Sequence, residues 1–136
     1  MEDLGEFQWG CHGTEIDGAN GKAIGTGYQN TLDIVAGCSD TPIAASLALD
    51  YESEEGYSDW YLPSRFELVE MYNTIGNGGP EGNIGGFEDE LGYGSLYWSS
   101  SELNLSNFAW YVSFGDGLTD YFNKYYAFRV RVIRAF

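Results

Sequence analysis

Ala109-Trp110-Tyr111-Val112-Ser113-Phe114-Gly115-Asp116-Gly117 is the stretch that decides the fold class. Trp110, Val112 and Phe114 recur with period two, which predicts one face of a β-strand. Gly115-Asp116-Gly117 reads as a tight turn, and Leu118 to Phe122 is expected to return alongside as a hairpin. Before it, Tyr97-Trp98-Ser99-Ser100-Ser101 has strand character. After it, Phe128, Val130 and Val132 alternate with Arg129, Arg131 and Ile133 in a closing strand. A short strand is also expected over Phe7–Cys11. Three helical patterns lie upstream of the strand-rich region. Ser64-Arg65-Phe66-Glu67 is a capping box that predicts a helix ending at Gly76, with Leu68, Tyr72 and Ile75 on its apolar face and Glu67 and Glu70 off it. Asn30 is placed to cap a helix through Leu32, Ile34 and Val35 that stops at Gly37. Thr41-Pro42 is placed to open another through Ile43 to Leu49. Helices first and a run of antiparallel strands second make an α+β fold. Residues 13–27 and 76–94 are glycine-rich loops, the second long enough to be functional or packed by its own side chains.

The chain of 136 residues suits a single domain spanning 1–136, and 43% hydrophobic with 17% aromatic content supplies a core and excludes disorder. No apolar run approaches the ~18–20 residues of a membrane span, so no membrane insertion is expected, and residues 1–30 lack a signal-peptide pattern. A net charge of −15 repels phosphate and argues against nucleic acid as a partner. The charge is uneven. Residues 1–102 hold every acid but two and only two bases, Lys22 and Arg65. Residues 103–136 hold Asp116 and Asp120 against Lys124, Arg129, Arg131 and Arg134, a net of +2. This near-neutral segment is also the richest in aromatic rings, and it is expected to form a surface with a job of its own.

Little in the chain is suited to catalysis, and no cofactor or metal is expected. His12 is the only histidine, in a glycine-rich loop, so no Ser/His/Asp set can be built without it. Gly25-Thr26-Gly27 lacks the rest of a phosphate loop. The acidic loop Asp50–Asp59 lacks a calcium-binding D-x-D-x-D-G spacing and reads as a solvated loop. Glu54 and Glu55 are neighbours without opposed geometry. Cys11 and Cys38 fit no zinc spacing; they form either one disulfide or two reduced, buried thiols.

Residues 103–129 mix Tyr and Phe with Asn, Ser and Asp, a combination of rigid contact area and adaptable hydrogen bonding found in binding loops. Tyr121-Phe122 and Tyr125-Tyr126 are adjacent pairs, so both members cannot share one buried face of a regular strand. The non-core side chains of this window are expected on one contiguous exposed surface. Trp60, Trp98 and Trp110 are expected in the core.

Trp9-Gly10-Cys11, Asp59-Trp60-Tyr61-Leu62-Pro63-Ser64, Tyr97-Trp98-Ser99-Ser100-Ser101-Glu102, Ala109-Trp110, Phe114, Gly117, Lys124 and Val130-Arg131-Val132-Ile133-Arg134-Ala135-Phe136 occur together and in order. From about residue 5 onward the chain resembles the Lcl C-terminal domain family, a branch of the C-type lectin-like fold. The resemblance implies short helices packed on a twisted, mostly antiparallel sheet. It also implies a further strand ahead of Trp9-Gly10-Cys11, and so either a domain trimmed at its N-terminus or an unusually short member. Its implied function is binding a protein or cell-surface ligand, at a cell surface, secreted or on a virion, with the cytoplasm left open by the missing leader.

Some proteins of this fold are the variable proteins of diversity-generating retroelements, in which template adenines are rewritten near the 3′ end of the gene. AAY codons treated in this way reach Asn, Tyr, Ser, Asp, Thr, Phe and Leu but not Lys, Glu, Gln, Met or Trp. Between Leu103 and Arg129 only Trp110 and Lys124 are unreachable. The contact surface so implied comprises Leu103-Asn104-Leu105-Ser106-Asn107-Phe108, Tyr111, Ser113, Asp116, Leu118-Thr119-Asp120-Tyr121-Phe122-Asn123, Tyr125-Tyr126 and Phe128-Arg129. Arg129 is expected to reach the ligand, whereas Arg131 and Arg134 are expected to pair with acids or carbonyls of the frame. The alternatives are a fixed-specificity adhesin or glycan-binding module, and an enzyme of the formylglycine-generating type. The net charge weighs against sulfated glycans unless the +2 segment acts alone. The enzymes rely on paired active-site cysteines, whereas Cys11 in a turn and Cys38 at a helix end suit a structural bridge better.

Overall fold

A computed structural model describes residues 3–103 and 106–135. The elements are β1 (Asp3–Gln8), α1 (Gly27–Gly37), α2 (Ala44–Asp50), α3 (Arg65–Ile75), a 3-10 turn (Tyr93–Ser95), β2 (Leu96–Glu102), β3 (Phe108–Ser113), β4 (Thr119–Asn123) and β5 (Ala127–Arg131). The chain is α+β, with three short helices and one open sheet in the order β1-β5-β2-β3-β4. The hairpin forms where the sequence predicts it. Trp110 lies opposite Tyr121 and Val112 opposite Thr119, and the Gly117 N–H donates to the Ser113 carbonyl at 2.8 Å. Gly117 has φ +80°, and a Cβ there would run into the Tyr72 ring, so both backbone and space call for glycine.

After the hairpin the chain crosses back, and β5 inserts between β1 and β2. It pairs antiparallel with β1 and parallel with β2, through Tyr97 opposite Arg129. Strand alternation then feeds two cores. Trp98, Ala109, Phe128 and Val130 join Trp9, Ile34 and the alanines of α2 in the first. Tyr97, Val112 and Phe114 join Leu68 and Met71 of α3 and Phe87 in the second. Each large side chain fully removed from water contributes about 1.5–3 kcal/mol.

The capping box of α3 is present as read. Ser64 Oγ accepts the Glu67 N–H at 3.3 Å, and Glu67 Oε1 accepts the Ser64 N–H at 2.8 Å. Gly76 ends the helix. Glu67, expected off the apolar face, is instead buried, because its second oxygen also accepts the Gly25 N–H at 3.0 Å.

The other starts differ from expectation. α1 begins at Gly27, and Asn30 lies inside it, buried, its amide bonded to Gly21 N–H and carbonyl and to Ser100 Oγ. That side chain serves long-range contacts rather than a helix end. α2 begins at Ala44, after a cis Thr41–Pro42 peptide, and Ser46 Oγ accepts the Ile43 N–H at 3.0 Å. β1 tolerates a positive φ at Gly5, where its register shifts, and ends at Gln8, after which positive φ at both Gly10 and Cys11 turns the chain. Cys11 and Cys38 form a disulfide with Cα atoms 5.9 Å apart, which decides between the two states open to them. Trp98 is fully buried, but Trp60 and Trp110 are only half-buried, contrary to their expected core positions. No described helix is long and apolar enough to cross a membrane.

Candidate ligand-binding face

The hairpin β3–β4 forms one end of the sheet, and its register divides the window residues between two sides. Tyr111 lies opposite Asp120 and Ala109 opposite Phe122, so Tyr111, Asp120 and Phe122 share one side. Phe108 lies opposite Asn123, Trp110 opposite Tyr121 and Val112 opposite Thr119, which places those side chains on the reverse. The expectation of one contiguous surface is therefore corrected. A period of two sends adjacent rings such as Tyr121 and Phe122 to opposite sides.

The first side carries a row of rings. Tyr93 contacts Phe122 at 6.2 Å between centroids, Phe122 contacts Tyr126 at 4.6 Å, Tyr126 contacts Tyr125 at 5.0 Å, and Tyr125 contacts His12 at 4.8 Å. Phe128 is the floor, touching Trp98 at 4.6 Å, Tyr111 at 5.6 Å and Phe122 at 5.9 Å. Tyr93, Tyr125 and Tyr126 are 69%, 51% and 43% exposed. So many open rings in contact form an apolar patch that folding alone does not require. At one end of the row, Leu91, Gly92, Tyr93, Leu96, Tyr111, Ser113, Asp116 and Leu118 line a cleft of about 230 Å³. Burial, then the carboxylates of Asp120 and Asp116, raise the Tyr111 phenol above its ordinary value, so it stays protonated across the physiological range.

The reverse side is built around Trp110. The Arg65 guanidinium stacks 3.6 Å from the centre of its six- and five-membered ring system, and Lys22 Nζ lies 5.4 Å away. Tyr121 meets Trp110 edge-on at 5.5 Å and Phe108 at 5.5 Å. Thr119 Oγ1 accepts from Arg65 Nε at 3.1 Å and donates to the Tyr111 carbonyl at 2.8 Å. Trp110 is half-buried because the start of α3 covers it only through the Arg65 side chain.

The remaining window residues fall into place around these two sides. Asp116 and Leu118 are exposed at the hairpin turn, where Asp116 Oδ1 accepts the Leu118 N–H at 3.1 Å. Leu103, Ser106, Asn107 and Asn123 are half-buried, and their backbone groups bind the neighbouring turns: Leu103 N–H to Phe108, Gly13 N–H to Ser106, Lys124 N–H to Asn107 and Tyr126 N–H to Asn123. Asn104 and Leu105 lie outside the described residues. One member of the expected contact set is corrected by burial: Phe128, 2% exposed, points into the protein and offers almost no surface, while Ser113, 7% exposed, reaches only the wall of the cleft. Arg129 is corrected by its partners: it donates to the Gly94 carbonyl at 2.6 Å and pairs with Asp3 at 3.5 Å, on the side of β5 away from Phe128.

The excess positive charge of residues 103–136 does not form a positive surface. Lys124 pairs with Glu102 at 2.5 Å, Arg131 with Asp3 at 2.6 Å and Arg134 with Asp59 at 2.7 Å, and Arg129 also meets Asp3. Each base of the C-terminal segment thus meets an acid of the first 102 residues, with Arg129 and Arg131 sharing Asp3. Arg131 and Arg134 pair as expected, and Arg131 also donates to the carbonyls of Gly85 and Gly86. Asp59 is held below its ordinary value chiefly by the hydrogen bond from Arg134.

Sequence reasoning missed two groups. Leu91 and Tyr93 belong to the long glycine-rich loop, whose length was the only signal that it mattered. Lys22 and Arg65 looked like isolated bases in an acidic segment, with nothing local to link them to Trp110. Cys11, Cys38 and Asp40 bring their ligand-type atoms within 4.8 Å of one another. The disulfide removes both thiolates, however, and Asp40 accepts the Cys11 N–H at 2.9 Å. This group therefore offers no metal-binding set.

The model of the Lcl C-terminal domain family matches residues 7–134. No curated protein matches the chain.

Proposed function

The chain belongs to the Lcl C-terminal domain family, and on that premise we propose that it is a non-catalytic recognition domain of the C-type lectin-like fold. Its partner is a protein or cell-surface ligand, met at a cell surface, in secreted form or on a virion. The observation that carries this reading is the row of rings from Tyr93 through Phe122 and Tyr126 to Tyr125, in which the three tyrosines are exposed yet each ring meets the next at a tilt. Rigid phenols of this kind supply contact area at small entropy cost. We propose further that the exposed side chains on both sides of the hairpin are diversified by a retroelement. In support, Lys124 is buried and Trp110 is held by Arg65. These are the two residues of the window that rewriting of AAY codons cannot produce, and a frame that must not vary would hold them in such places.

Sequencing the gene and its neighbourhood tests the diversification. A reverse-transcriptase gene and a near-copy of the 3′ coding sequence are expected, with adenines at the codons of Tyr111, Asp116, Asp120, Tyr121, Tyr125 and Tyr126 and none at that of Trp110. A gene without such a copy overturns the retroelement reading and leaves a binding domain of fixed specificity. The pairing of all four C-terminal bases weighs against a sulfated glycan as ligand.

A further inference from the structure

The cleft beside the aromatic row has a charge environment that narrows what can enter it. Its walls are the rings of Tyr93 and Tyr111 and the aliphatic side chains of Leu91, Leu96 and Leu118, with Asp116 among the lining residues. Asp120 stands directly across from Tyr111 on the same side of the hairpin. The volume, about 230 Å³, is below the ~300–1,000 Å³ of pockets that enclose drug-sized ligands. A single long side chain suits it better. Among the described residues no salt bridge reaches either aspartate: Asp120 feels only the field of Arg65 from across the hairpin, and Asp116 faces no cation. Lys124, Arg129, Arg131 and Arg134 are paired elsewhere. Lys22 and Arg65 sit on the reverse side with Trp110.

We propose that this cleft receives a lysine or arginine side chain from a protein partner, its alkyl stem between Tyr93 and Tyr111 and its charged head toward Asp116 and Asp120. The proposal rests on the recognition function given above and specifies the chemistry recognised. An aromatic face attracts a cation through its quadrupole, and an alkyl stem satisfies apolar walls that a small inorganic cation would leave empty. A carboxylate or sulfate in the same place would meet two negative charges on a protein of net charge −15. The protein uses the same arrangement internally. The Arg134 guanidinium lies 3.7 Å from the centre of the Tyr57 ring while bonding both oxygens of Asp59 at 2.7 and 3.0 Å.

Selection of a random peptide library on the whole protein tests the proposal, followed by titration of the selected peptides against variants. Asp116→Asn with Asp120→Asn removes both charges from exposed positions while retaining the Oδ1 that accepts the Leu118 N–H. Tyr111→Ala opens the cleft wall. The expected result is a set of peptides sharing one Lys or Arg. Their affinity should fall at least about tenfold in the Asn double variant and on replacement of that residue by norleucine, the scale of a desolvated cation held over rings. Peptides that Tyr111→Ala releases but that contain no basic residue, or that bind the Asn variant undiminished, would overturn the cation assignment and leave the recognition face standing. A library yielding no peptide, or only peptides indifferent to Tyr111→Ala, would overturn both. Circular dichroism and thermal melting of each variant show that the fold is retained.

Discussion

Lys124 Nζ donates to Glu102 Oε2 at 2.5 Å with both side chains buried, one on the turn between β4 and β5 and the other at the end of β2. Lys124 also donates to the Thr14 carbonyl at 2.8 Å and lies over the Trp9 ring, and both Glu102 oxygens accept the Ile16 N–H. One ion pair thus ties three segments beneath the aromatic row. Burial pushes Lys124 down and Glu102 up from their ordinary values against the pull of the pair itself. Desolvation therefore offsets much of the attraction. Lys124→Met alone is expected to cost about 3–5 kcal/mol, because it strands a buried carboxylate. Adding Glu102→Leu should recover most of the loss and leave about 1–2 kcal/mol for the orphaned Ile16 N–H. Urea denaturation of the two variants checks the order. A double variant less stable than the single one would show that the pair is not desolvation-limited.

Reduction of the disulfide should act mainly on the unfolded chain. The bridge joins residues 27 apart, a loop whose closure is worth roughly 3–4 kcal/mol in the chain-entropy account. Cys11→Ser with Cys38→Ser is expected to lower stability by that amount with little change in the folded state. A measurement with and without reductant should show the wild type, and not the variant, responding.

Stability should decline in alkali. Burial raises the phenols of Tyr61, Tyr97 and Tyr111 above the ordinary 10.0. Their contribution is fully present below pH 10.0. It is lost as pH rises through and beyond that value, where the unfolded chain ionises first. Lys124, lowered by burial, opposes the trend, since its unfolded form holds the proton longer. Tyr97 donates to Asp3 at 2.6 Å and accepts from the Glu88 N–H at 2.9 Å. Tyr97→Phe should therefore be less stable at neutral pH and flatter in its alkaline limb. An unchanged slope would remove Tyr97 from the account.

Loss of the α3 cap should be measurable by itself. Ser64 Oγ serves both the Glu67 N–H and the Ala23 carbonyl, so Ser64→Ala is expected to cost about 1–2 kcal/mol. Ser64→Thr should retain most of that if the extra methyl fits.

What could be read from the sequence was local. The Ser64–Glu67 box, the Gly115–Gly117 turn and the alternation of Phe128, Val130 and Val132 each depend on residues a few positions apart, and each formed. What could not be read depends on partners far along the chain. Lys124 finds Glu102 22 residues away and Arg131 finds Asp3 128 residues away, so the bases of a net positive segment face acids from the rest of the chain. Asn30 has the chemistry of a cap, but Gly21 and Ser100 claimed its amide. The aromatic window was legible in composition, and a period of two already separates Tyr111 from Trp110; which strand residues stand opposite them follows from a register that residue types do not encode. Tyr93 joined the site from a loop with no pattern of its own.

On the proposed function, frame and contact surface are carried by different side chains of the same C-terminal window. A stability scan over residues 103–129, each position replaced in turn by Asn, Ser and Asp and read by proteolysis in urea, tests it directly. The account predicts changes within about 0.5 kcal/mol at the exposed positions Asp116, Leu118, Asp120, Tyr121, Tyr125 and Tyr126. Losses above about 2 kcal/mol are predicted at Ala109, Val112, Phe114, Lys124 and Phe128. Losses at Tyr121, Tyr125 and Tyr126 as large as those at Phe128 would mean that these rings hold the fold together, and would contradict a surface free to vary.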